Sequence, residues 1–172
     1  ALLRREGRDR EAAMVGIWLA RQYRGLFHRT AMAEGWFAPT RSLVAGMADA
    51  GSLEGWLALV DSEASLLAVA AAEAECAVAA GRKHGDVDLE IVSLARLGAC
   101  RVGTGAVVEG RSDLQQAMTA AVSGEGQDIQ YVGEALCTLL EVSGWLGDPG
   151  MVEPWAQQLA EFRSAYAFGP LL

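Results

Sequence analysis

Apolar positions along this chain recur with helical period, and short polar breaks carrying glycine interrupt them. The pattern is clearest over residues 87–146. Segment 87–102 stops at Gly103-Thr-Gly105, segment 106–122 stops at Ser123-Gly-Glu-Gly126, and a third covers 128–146. Helices of this length joined by turns this short lie nearly antiparallel. A motif also repeats inside them. Leucine, a small residue, a polar residue and leucine occur at 94–97 and again at 136–139, and glycine closes each run at Gly105 and Gly147. The offset of 42 residues suits a two-helix structural repeat.

Carried along the whole chain, the same punctuation predicts about eight helices in four pairs: 9–25/29–46, 53–66/68–83, 87–102/106–122 and 128–146/149–166. Asp9 is placed to cap the first, with Glu11 in its first turn. In that helix Ala13, Ile17, Ala20 and Arg24 share one side and Met14, Trp18 and Arg21 lie close by, so apolar surface wraps most of the cylinder. Pro39 removes a donor inside the second helix and predicts a kink, or two pieces meeting at Ala38-Pro39. Trp36 and Phe37 just before it read as core. Ser52 is the expected cap of the third helix, and the alanine-dense run 69–83 suits close helix approach. Gly85-Asp86 and Gly147-Asp148-Pro149 each read as a helix stop followed by a cap. Trp155, Leu159 and Phe162 form the stripe expected to be buried in the last helix, and the apolar tail 168–172 carries no pattern. No pair can cover its own apolar face. The prediction is therefore an all-α domain over 1–172: antiparallel pairs stacked as a short right-handed solenoid like that of tetratricopeptide repeats.

Composition narrows the function. A hydrophobic share of 52% excludes disorder, and only four prolines in an alanine-rich chain favour helix. No apolar run is long enough for a bilayer span, since Glu73 and Glu75 break the run that begins at Leu66. No signal peptide is visible in Ala1-Leu-Leu-Arg-Arg-Glu, and the missing initiator Met suggests a piece of a longer polypeptide. Three separated cysteines, Cys76, Cys100 and Cys137, make no disulfide framework; they read as small buried hydrophobes in a reducing cytoplasm. A net charge of −8 argues against gripping a phosphate backbone. The charge is uneven: residues 1–46 balance at +4 and the remainder at −12. That asymmetry marks either a surface for an acidic partner near the N-terminus or ordinary solvated faces.

Trp36-Phe37, Gly55-Trp-Leu-Ala-Leu59, Gly85-Asp86 followed by Asp88-Leu-Glu90, Glu109-Gly110, Ala117-Met118 and Ser123-Gly-Glu125 carry a further signal. Over residues 8–163 the chain resembles the tetratricopeptide-like region of large bacterial LuxR-type transcription regulators. These are the MalT-like proteins, with an ATP-binding module ahead of the repeats and a helix-turn-helix behind. The resemblance implies a repeat domain that binds an effector or partner and couples sensing to transcription. This segment has neither a phosphate loop nor a basic recognition helix, so ATP and DNA would be handled elsewhere. Pro39 and the segment after Phe162 depart from the family pattern.

Candidate surfaces follow from helical geometry. Glu90, Ser93 and Arg101 cluster around Leu97 on one helix, while Gln127, Gln130, Glu134, Thr138 and Glu141 gather with Trp145 on another. Shifted by 42, the first stripe falls outside the second, so at most one lines a groove and the other faces outward. The expected occupant is a protein or peptide. The alternative is a small-molecule effector in an aromatic pocket of Trp18, Trp36 and Trp56. Catalytic residues, metal ligands and cofactor sites are not expected. His28 and His84 stand at helix ends, and Cys76 lies about 12 Å of helix rise from His84, too far for a dyad. Glu73/Glu75 and Asp86/Asp88 read as solvated charges and caps, and Gly103-Thr-Gly105 lacks the strand a dinucleotide site needs.

Overall fold

The computed structural model describes residues 2–157 and residue 160. Among them are eight α-helices and no strand: α1 (Leu2–Arg5), α2 (Asp9–Gly25), α3 (Thr30–Ala45), α4 (Leu53–Ala64), α5 (Leu67–His84), α6 (Val87–Gly103), α7 (Val107–Val122) and α8 (Ile129–Leu146). Helices α2 to α8 fall where the hydrophobic period places them, to within two residues at each end; α1 is an addition to that pattern.

Local chemistry sets several boundaries. Gly85 and Gly147 end α5 and α8 in the left-handed region, at φ 66° and 61°, where a side chain would be strained. The Asp86 carboxylate then accepts the Leu89 N–H at 3.1 Å, and Asp128 accepts from Gln130 at 2.8 Å.

Other ends differ from expectation. Arg8 holds the capping position of α2, and Asp9 is its first helical residue, adding charge near the positive end of the helix without capping it. Ser52 precedes α4 but already has helical φ and ψ, and its hydroxyl caps nothing. Across Pro39, α3 is one helix, not two. The Thr40 hydroxyl donates to the Trp36 carbonyl at 2.7 Å and Ser42 to Ala38 at 3.2 Å, so nearby carbonyls gain side-chain donors. After α8 the expected α-helix begins as two 3-10 turns, Pro149–Met151 and Glu153–Trp155. Pro149 sits at the first helical position, where no donor is needed, but Pro154 withholds one that an α-helix would use. Trp155 packs on the core; Leu159, Phe162 and the tail 168–172 lie outside the described residues. Cys100 is buried, but Cys76 and Cys137 are exposed, because the apolar run around each is wider than the face that packs.

The helices pack as adjacent antiparallel pairs. Gly16 faces Thr40 across α2/α3, Gly55 faces Ala80 across α4/α5, and Gly98 faces Gly110 across α6/α7. The leading helices α2, α4, α6 and α8 run side by side in the same direction. Arg10 of α2 reaches the Asp49 carbonyl just ahead of α4, and Arg21 reaches Glu63 near its end. Arg96 of α6 reaches Ser62 of α4, and Asp88 of α6 accepts N–H groups of Gln127 and Asp128 at the start of α8. The row closes on itself. Trp18 of α2 donates to Gln130 of α8 at 3.1 Å, and Arg21 pairs with Glu134 of α8. These four helices therefore surround a common axis, with α3, α5 and α7 outside them. One end of the axis is plugged by Ile17, Leu53, Trp56, Leu89 and Tyr131; a second core gathers Ile91, Leu94, Leu114, Met118 and Leu139 between α6, α7 and α8.

The α6/α7 contact is backbone on backbone. A Cβ at Gly110 would stand 2.6 Å from the Gly98 carbonyl oxygen, with no flexible side chain to yield. Gly133 in α8 meets nothing within 4 Å. Gly110→Ala should therefore cost about 1–3 kcal/mol in urea unfolding. Gly133→Ala should gain about 0.5–1 kcal/mol from helix propensity. Equal effects of the two substitutions would contradict this packing.

Candidate binding cleft

The open end of the helix ring is a cleft of about 700 Å³. Its walls are Arg21, Gln22, Arg24 and Leu26 at the end of α2, Glu63 of α4, Val92, Arg96 and Ala99 of α6, and a stripe of α8. That stripe is Gln130, Glu134, Thr138, Glu141 and Trp145, the second of the two polar stripes read from the helical wheel. Gln127 departs from it and lines a separate hollow at the 122–132 turn.

The first stripe lies elsewhere. Glu90 accepts from Arg82 of α5 at 2.7 Å, and the buried Ser93 hydroxyl donates back to the Leu89 carbonyl at 2.6 Å. Arg101 forks onto both oxygens of Asp113 at 3.0 and 2.8 Å and reaches Glu75 at 3.2 Å. Glu90 and Arg101 tie α6 to α5 and α7, and Ser93 bonds within α6 itself. Because α6 is surrounded on nearly every side, its polar groups are consumed by neighbouring helices, and its inner row is Val92, Arg96 and Ala99. The three tryptophans do not form the expected aromatic pocket. Trp56 is 2% exposed, tilted against Tyr131 with centroids 4.9 Å apart, and its indole N–H donates to Asp86 at 2.8 Å. Trp18 and Trp36 are each 43% exposed, and none of the three lines this cleft.

At the base of the cleft Arg21 is only 7% exposed. Its Nε donates to Glu63 at 2.8 Å, its terminal nitrogen pairs with Glu134, and its guanidinium carbon lies 5.8 Å from the centroids of both Trp56 and Tyr131. Burial by itself would depress the pKa of this arginine; the two carboxylates outweigh it and hold the pKa above its ordinary value. Burial pushes the Tyr131 phenol up to about 12, with Arg21 opposing. Burial likewise raises the Glu134 carboxyl, only partly countered by Arg21, while 37% of its side chain stays open to the cleft. Arg24 donates to the Val60 carbonyl at 2.9 Å and pairs with Glu34. Arg96 donates from Nε to the Ser62 hydroxyl at 3.1 Å and from a terminal nitrogen to the Ser62 carbonyl at 2.7 Å. Two arginines thus satisfy carbonyls near the C-terminus of α4, where partial negative charge accumulates.

Sequence reasoning missed Arg96, Arg24 and Glu63 as lining groups. A signal was present. Arg21 and Glu63 are 42 residues apart, the repeat offset itself, so a cation and an anion occupy equivalent positions of neighbouring helices. The basic bias of 1–46 is partly absorbed by ion pairs: Arg4, Arg8, Arg21, Arg24 and Arg41 each pair with a carboxylate, while Arg5, Arg10 and Arg29 are exposed. No three metal-ligating side chains come together among the described residues, and none of the described helices is long and apolar enough to cross a membrane. The chain matches no family profile, no curated protein and no solved structure.

The ion cluster is testable through its asymmetry. Arg21→Met strands two carboxylates and should cost about 3 kcal/mol in chemical denaturation. Glu134→Gln should not lower stability at neutral pH, because ionised Glu134 is already disfavoured by burial. The sign in pH follows. With the folded pKa raised above the unfolded value, Glu134 contributes stability that is present below the unfolded pKa and lost as pH rises through the folded one. Subtracting the Glu134→Gln stability profile from that of the wild type should expose this loss on the acidic side of neutrality. A difference of the opposite slope would refute the assignment.

Proposed function

We propose that the chain is a non-catalytic interaction module that receives a segment of peptide or protein in the cleft between α2, α4, α6 and α8. The observation that carries this reading is the lining: ten of its fifteen residues are polar or charged, and all four leading helices contribute to them. A peptide backbone offers a donor and an acceptor at every residue and suits such walls. Exposed Leu26 and Trp145 at the rim supply apolar contact for its side chains. Stacking of the pairs as a short right-handed solenoid belongs to the same proposal and rests on the 42-residue repeat; a regulatory role like that of the LuxR-type region rests on the sequence resemblance.

Peptides selected from a random display library against the chain provide the test. On binding they should shift amide resonances of Gln130, Glu134, Thr138 and Glu141 and of the last turns of α2. Peptides whose shifts map to α3, α5 and α7 instead would remove the cleft from the account.

A small-molecule effector is the second reading, favoured by a volume inside the range of about 300–1,000 Å³ common to such sites. Charged or polar side chains on all four walls speak for the peptide, since small-molecule sites carry only a few polar groups. A metabolite screen by thermal shift separates the two. A ligand at about 100 times its dissociation constant adds about 2.7 kcal/mol of stability, and a screen in which no compound raises the melting temperature would discard this second reading.

A further inference from the structure

We infer that Arg96 is the anion anchor of the cleft and takes a carboxylate from its occupant; this rests on reading the cleft as a binding surface. Among the cleft's arginines, Arg21 has Glu63 and Glu134 and Arg24 has Glu34, whereas Arg96 has no carboxylate partner among the described residues. It sits half-buried in the inner row of α6, between Val92 and Ala99. Both of its hydrogen bonds go to neutral acceptors on one residue, the hydroxyl and carbonyl of Ser62. Ser62 is itself buried and fixed, its hydroxyl donating to the Ala70 carbonyl at 2.9 Å.

A guanidinium carries five N–H donors in a planar fork. Two are used to pin this one against α4, and the rest are left without a protein acceptor among the described residues. The side chain is therefore held in place before any ligand arrives, which removes much of the ordering cost of binding. Its charge is partly desolvated and uncompensated, so a carboxylate gains from both charge and bidentate geometry.

The surrounding charges fix the register. The Arg21 cluster holds one cation against two carboxylates, so its excess negative charge turns an anion away from the base of the cleft. Glu141, exposed and without a partner among the described residues, is an acceptor for N–H groups of the same occupant. A carboxylate at Arg96 with N–H groups toward Glu141 describes a peptide terminus or an acidic side chain; a free carboxylic acid satisfies Arg96 alone.

The test uses the full chain with random hexapeptide pools lacking Asp and Glu, made with a free C-terminal carboxylate or a C-terminal amide, and with succinate as a free acid. Titration calorimetry gives affinity, and the Arg96 Nε–Hε resonance of the wild type reports the contact without any mutation. The carboxylate pool should move that resonance, and Arg96→Gln should weaken its binding by about tenfold, the scale of a charge-assisted hydrogen bond. Arg111→Gln, outside the cleft, should leave it unchanged, and the amide pool should bind wild type and Arg96→Gln equally weakly. If succinate moves the resonance while no peptide pool binds, the anchor stands and the peptide reading falls. If acid and amide pools bind alike and Arg96→Gln changes nothing, the peptide reading stands and the anchor falls. An Arg96 resonance that neither succinate nor any pool moves overturns the inference even if Arg96→Gln does not fold.

Discussion

One buried arginine holds the first helix pair to the last. Arg21 leaves α2 and reaches Glu63 on α4 and Glu134 on α8, across 113 residues of chain in the second case. Removing three charges from water is costly, and their mutual attraction repays it only where the geometry satisfies every partner. A slip of α8 by one residue would turn Glu134 away and leave the guanidinium half-satisfied. The contact therefore selects one register among the many that apolar side chains would tolerate. It also marks the place where the row of leading helices meets itself.

Closure of that ring divides the axis in two. Toward the helix N-termini, Trp56, Tyr131 and Leu89 fill the space with apolar volume. Toward the C-termini, arginines and carboxylates occupy the inner positions, and charged groups that must keep some water cannot pack shut. The cleft is the consequence. It opens where carbonyls near the end of α4 are served by Arg24 and Arg96, so the same residues that finish a helix also line the surface offered to a partner. The guanidinium of Arg96 combines rigidity, partial burial and an unspent charge, which sets it apart from its neighbours.

Helix α6 shows how burial redistributes polar groups. It is covered by α4, α5, α7 and α8, and the close approach of α7 depends on Gly98 and Gly110 having no side chains. Glu90, Ser93 and Arg101 look on a helical wheel like a polar face awaiting a ligand. In the fold Glu90 and Arg101 find partners on outer helices, and Ser93 bonds to its own backbone. The wheel gives the angle of a residue about its own helix and nothing about which neighbour stands at that angle. Trp18, Trp36 and Trp56 illustrate the same gap: three aromatics on three successive helices end in one buried and two exposed positions.

The sequence by itself determined what is local. Periodicity drew α2 to α8 within two residues, because each helix records its own buried face. Gly85, Asp86 and Gly147 declared their ends, because capping involves residues only a few positions apart. It also gathered Gln130, Glu134, Thr138, Glu141 and Trp145 onto one stripe, since a single helix sets that spacing. Only the tertiary structure decided which stripe faces inward, that α2 touches α8, and that Arg21, Glu63 and Glu134 form one cluster. Those outcomes depend on the curvature summed over successive pairs. A small change of angle at each step decides whether the ends meet, and no single segment encodes that sum.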